Sequence, residues 1–125
     1  MPPLRALVID DHPAVTNYLV EMLTVHGINA HGINDAPAAL EHLRHTSYDV
    51  VLLDVWMLHG IHLLRQLRVF NPDVPVIIVA TRDVLPSDAD NPNLDDLKIA
   101  DWIIKPFAGA ELRATIARVV DVEAR

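Results

Sequence analysis

The stretch Val50-Val51-Leu52-Leu53-Asp54-Val55-Trp56-Met57 sets four aliphatic residues directly before a carboxylate. An apolar run without alternation suits a strand buried on both faces, as in a parallel sheet covered by helices. Asp54 then stands at the C-terminal end of that strand. Outward from this segment the same arrangement recurs. Leu4–Ile9 runs into Asp10-Asp11, Val74–Ala80 into Thr81, and the shorter Trp102–Ile104 into Lys105-Pro106. Ile28–Ile33 is a weaker and more alternating fifth strand candidate.

Helical periodicity fills the intervals. Ala14, Val15, Tyr18, Leu19, Met22 and Leu23 recur at three- and four-residue spacing, and Gly27 follows as a stop. Ala36–Arg44 has Asp35 as its N-cap candidate and Pro37 in its first turn. Ile61–Phe70 and Ala110–Val120 supply two further amphipathic segments. The fourth crossover, Asp83–Leu97, differs: Pro86, Pro92 and five Asp leave at most its second half helical. Strand and helix therefore alternate, which predicts a three-layer α/β fold around a parallel sheet.

The chain has 125 residues, of which 51% are hydrophobic, with a formal net charge of −7 and no cysteine. That length fits one domain over residues 1–125, without disulfides or thiol chemistry. The acidic balance repels phosphate backbones and argues against direct nucleic-acid binding. No apolar run reaches 18 residues, and the first residues lack the long apolar stretch of a signal peptide. The expectation is a soluble cytoplasmic domain.

The chemistry collects at the strand ends. Open α/β sheets bind ligands at the carboxyl ends of their strands. Asp10, Asp11, Asp54, Thr81 and Lys105 should therefore converge on one edge of the sheet. Carboxylates that close require a cation, and hard oxygen ligands favour Mg²⁺ shared with a phosphate. A carboxylate is also a nucleophile toward phosphorus, giving an aspartyl-phosphate. Lys105 and the Thr81 hydroxyl would meet the charge on the phosphoryl oxygens.

Together the stretches VIDDHP, VVLLDVWM, VIIVAT and ADWIIKPF resemble the receiver domains of two-component response regulators, over essentially the whole chain and in the family's order. The resemblance implies a flavodoxin-like (βα)5 domain with strand order 2-1-3-4-5, its fourth helix short or irregular. It implies Asp54 as phosphoacceptor, Asp11 as a direct Mg²⁺ ligand, Asp10 acting largely through water, and the Trp56 backbone carbonyl as a further ligand. Mn²⁺ would be able to substitute. Lys105 would bond the phosphoryl group, with a cis bond to Pro106. Thr81 would move toward the phosphate, and Trp102 would hold the aromatic switch position. The implied donor is a histidine kinase or phosphotransfer protein. The implied readout is a downstream protein or output domain, with weak homodimerisation. Such a domain catalyses only its own phosphorylation and dephosphorylation.

The chain departs from the family's pattern in places. Leu58 stands where Pro is common, and Gly60 comes early, so the loop after Asp54 is short. Trp56 and Trp102 are bulky, and Arg82 replaces a small residue. The short loop, Arg82 and the irregular fourth crossover motivate a second reading, a pseudo-receiver serving as a constitutive protein-binding module. An Asp-nucleophile phosphohydrolase is disfavoured, because Trp56 occupies the position where a second acid is needed. Among the seven His, the pairs His42/His45 and His59/His62 have helical spacing that zinc can use, but no further soft ligand accompanies them. Solvated surface histidines are the simpler reading.

Overall fold

The structure, a computed structural model, describes residues 3–80 and 95–124. Five strands, β1 (Arg5–Ile9), β2 (Asn29–Ile33), β3 (Val50–Leu53), β4 (Val76–Ala80) and β5 (Asp101–Ile104), form one sheet in the order β2-β1-β3-β4-β5. Every neighbouring pair is parallel. Among the described residues, four helices connect or flank them: α1 (Pro13–Val25), α2 (Ala36–His45), α3 (Gly60–Phe70) and α4 (Gly109–Ala124). Strand order and direction match the expected receiver topology. In the fourth crossover the described residues form only a 3₁₀ turn, Asp95–Leu97; Thr81, Arg82 and the remainder of that crossover lie outside the described residues.

The apolar runs lack alternation because both faces of the sheet are covered. Leu7, Ile9, Val51, Leu53 and Ile78 point into one core with Leu43 of α2 and Leu63, Leu64 and Leu67 of α3. Their neighbours Ala6, Val8, Val50, Leu52 and Ile77 point into the other, with Leu19 and Leu23 of α1 and Leu112 and Ile116 of α4. Successive strand side chains face opposite ways, so each run feeds both cores. β2 is an edge strand with no fully buried residue, which accounts for its weaker pattern.

Local signals set the helix ends. Gly27 has φ +82°, and the Ile28 N–H reaches the Leu23 carbonyl at 3.0 Å, closing α1. The Asp35 carboxylate accepts from the Ala38 N–H at 2.8 Å and caps α2. The short loop into α3 explains its glycine. A Cβ at Gly60 would lie 2.7 Å from the Val55 carbonyl oxygen and 2.9 Å from that of Asp54. His59, just before it, adopts φ +65°. The loop closes tightly because residue 60 lacks a side chain.

Candidate functional site

Main-chain bonds extend past the strands and hold the first polar residue of each in place. The Asp10 N–H donates to the Ile33 carbonyl at 3.3 Å, Asp54 to Ile9 at 3.0 Å, and Lys105 to Ala80 at 2.8 Å. The ends of β1, β3 and β5 are thus each tied to a neighbouring strand, and the side chains that follow them meet at the carboxyl edge of the sheet. Ligand atoms of Asp10, Asp11, His12 and Asp54 all lie within 4.8 Å of one another.

Asp10 is the buried member, at 2% exposure. A carboxylate so enclosed needs partners. Lys105 Nζ lies 3.2 Å from its Oδ2, and the His12 backbone N–H donates to its Oδ1 at 2.9 Å. Asn34 fixes the main chain behind it, donating through Nδ2 to the Asp10 carbonyl at 2.9 Å and to Thr16 Oγ1 at 2.8 Å. Asp11 is exposed and directed toward His12, whose Nδ1 is 2.9 Å from Asp11 Oδ1.

Asp54 is half-buried, and the Trp56 N–H donates to its Oδ1 at 3.0 Å. Burial pushes the Asp54 carboxyl above its ordinary value, Asp10 and Asp11 add to the shift, and the Trp56 N–H and Lys105 act against it. The hydrogen bond its ring donates to Asp10, then the negative charge of Asp11 and Asp10, holds the His12 imidazole above its ordinary value.

The sequence-predicted Asp10, Asp11, Asp54 and Lys105 therefore converge. The Lys105–Pro106 bond is cis. Thr81 lies outside the described residues. Trp56 and Trp102, read separately in the sequence, are partners: their ring centroids are 5.9 Å apart and tilted by 56°. Such offset aromatic contacts are favourable beyond simple burial. His12 and Asn34 were not singled out from the sequence. The signal for His12 was its place directly after the acidic pair; Asn34, 24 residues from Asp10, gave none. The paired histidines have other partners. His42 Nε2 meets the Tyr48 hydroxyl at 2.5 Å and its ring stacks on His31, whereas His45 pairs with Glu41 at 2.9 Å. His42 is thus half-buried and bonded rather than a solvated surface histidine.

The sequence matches the response regulator receiver domain family over residues 6–117. The chain belongs to that family. The receiver is 35% identical over 114 residues to response regulator MprA of Mycobacterium sp. strain KMS, covering 90% of this chain and 48% of that protein. It spans about half the length of that relative. Among solved structures it resembles the receiver domain of Francisella response regulator 1452, with 28% identity, a TM-score of 0.78, and coverage of 95% of this chain and 98% of the other. A sensor protein from Polaromonas sp. JS666 shares the fold at TM-score 0.86 and 24% identity, covering 98% and 99% of the two chains. Receivers of this family act in two-component systems, alongside histidine kinases and output domains. Among the described residues, no helix of this receiver is long and apolar enough to cross a membrane.

Proposed function

We propose that residues 1–125 are a single receiver that takes a phosphoryl group on Asp54 from a phosphohistidine donor and thereby switches a protein-interaction surface. The observation that carries this reading is the meeting of the Asp54, Asp10 and Asp11 carboxylates beside Lys105 at the carboxyl edge of the sheet. An Asp54 carboxylate oxygen forms the new P–O bond as the donor's N–P bond breaks, and the imidazole leaves with the electron pair. Lys105 turns from Asp10 to a phosphoryl oxygen. Thr81, next in sequence after β4, supplies a hydroxyl to another. The half-buried flank of Trp56 beside Asp54 restricts the approach of hydrolytic water. Trp102, against Trp56, carries the change to β5.

The donor set fits a hard dication. Asp10, Asp11, Asp54 and the Trp56 backbone carbonyl are oxygen ligands that would hold Mg²⁺, with Mn²⁺ able to substitute. When bound, the cation supplies charge neutralisation for the phosphoryl oxygens. A groove of about 440 Å³, lined by Val15, Tyr18, Lys105, Pro106 and Phe107, adjoins the site and offers an apolar seat for the donor protein.

One observation favours the second reading, a constitutive binding module. Asp10 is already neutralised by Lys105, and His12 lies between Asp10 and Asp11. The experiment that separates the two is intact-mass measurement after incubation with acetyl phosphate. A single phosphoryl adduct that requires Mg²⁺ and is missing in Asp54→Asn is expected. If neither acetyl phosphate nor a phosphorylated histidine kinase labels Asp54, the switch reading is wrong and the binding module stands.

A further inference from the structure

We infer that His12 is a nitrogen ligand of the cation site, and that it turns the site's preference from Mg²⁺ toward a first-row transition dication. The inference rests on the reading of Asp10, Asp11 and Asp54 as cation ligands.

His12 occupies the N-cap position of α1 with extended backbone, φ −102° and ψ 109°, directly before Pro13. A Ser, Thr, Asp or Asn at that position turns its side chain back to the first free N–H groups of the helix. His12 makes no such bond. Its ring faces the carboxylates instead, with Nδ1 3.1 Å from Asp10 Oδ1 and 2.9 Å from Asp11 Oδ1. Those separations have a definite meaning in coordination geometry. Octahedral ligands about 2.1 Å from a dication lie about 3.0 Å apart when adjacent and about 4.2 Å apart when opposed. Nδ1 thus stands at the length of an octahedral edge from both carboxylates. The four donors, all within 4.8 Å of one another, fit around one ion.

The donor types decide which ion. Mg²⁺ takes oxygen and keeps its waters. An imidazole nitrogen gains little with Mg²⁺ but strengthens binding of first-row transition dications. A three-carboxylate site with one imidazole therefore favours Mn²⁺ and its heavier neighbours more than an all-oxygen site does. A hydrogen-bonded imidazole would show the same two distances. The two arrangements differ in what His12 does when the dication arrives: a ligand stays, whereas a counter-charge leaves.

The test uses the full chain loaded with Mn²⁺. Pulsed electron paramagnetic resonance should show nitrogen modulation from one coordinated imidazole, and His12→Ala should abolish it. His12 is 70% exposed and caps nothing, so the variant keeps its fold, which circular dichroism checks. In parallel titrations, Mn²⁺ affinity should fall about 10-fold in His12→Ala while Mg²⁺ affinity changes less than about 2-fold. Bound Mn²⁺ without nitrogen modulation in the wild-type chain, or modulation that survives in His12→Ala, overturns the assignment. If modulation is missing but acetyl phosphate still labels Asp54, the His12 inference fails alone. If Mn²⁺ does not bind at all, the cation reading of the carboxylates fails with it.

Discussion

Replacing Arg68 should unfasten the chain on the way into β5. Among the described residues, its guanidinium donates to four main-chain oxygens in two segments, the connection between α3 and β4 and the pair Leu97–Lys98. Nε reaches Leu97 at 2.7 Å, Nη1 reaches Asn71 at 3.2 Å and Val74 at 2.7 Å, and Nη2 reaches Lys98 at 3.1 Å. Three of these bonds are partly buried and the fourth is exposed. At about 1 kcal/mol net for each partly buried bond, Arg68→Ala loses about 3 kcal/mol. A domain of this kind has about 5–15 kcal/mol in total. With a urea dependence of about 2 kcal/mol per molar, the unfolding midpoint falls by about 1.5 M. Arg68→Lys should recover less than half, because one ammonium cannot span oxygens arranged for a planar fork. Exchange of the Ala100 amide, bonded to the Val76 carbonyl at 2.9 Å beside the clamp, should quicken in Arg68→Ala. A loss below about 1 kcal/mol in Arg68→Ala would refute the clamp, as would a lysine variant as stable as the native chain.

Gly60→Ala drives a methyl group into two backbone carbonyls that have no side-chain freedom to retreat. Urea unfolding should show a loss of about 2 kcal/mol, and a neutral result would mean the loop is looser than described. Lys105→Ala should slow acetyl-phosphate labelling of Asp54 by about 100-fold, read as initial rates by intact mass; a change within about 3-fold removes Lys105 from phosphoryl stabilisation. His42 predicts a pH effect away from the site. Burial, then His31 and Arg5, lowers its pKa below 6.5, so the unfolded chain binds the proton more tightly. Its contribution is present above pH 6.5 and is lost as pH falls through the lowered folded value. Unfolding titrations from pH 7.5 down to 5.5 should separate wild type from His42→Asn by a gap that narrows as pH falls. A constant gap would remove His42 from the pH dependence.

Much of this architecture was readable because burial on two faces leaves an unmistakable mark. Leu7 to Ile9, Val50 to Leu53 and Val76 to Ala80 cannot afford a polar side chain in either direction, so strands β1, β3 and β4 stand out. β1 and β3, like the shorter β5, end at the same sheet edge, which made Asp10, Asp54 and Lys105 foreseeable as neighbours. Edge strand β2 was fainter, since one row of its neighbours is solvent. The clamp at Arg68 was not readable. A polar residue in an amphipathic helix looks like any solvated one, and carbonyl acceptors up to 30 residues away have no residue type. His12 was hidden for the opposite reason. It lies inside the motif that identifies the family, where attention falls on the two aspartates. Gly60 was noticed as early in its loop, but only the distances to Asp54 and Val55 show why no other residue fits there.

The contact between Trp56 and Trp102 also has an optical consequence. The chain contains only two tryptophans, and they are these. Two identical chromophores, 5.9 Å apart and held at 56°, cannot absorb independently. Their transition dipoles mix into a delocalised pair, and because the arrangement is chiral the pair absorbs left- and right-handed light unequally. The sign and size of that couplet depend on the angle between one ring beside Asp54 and another on β5. The receiver is therefore built with an unlabelled angular gauge, placed between its chemical edge and its far strand.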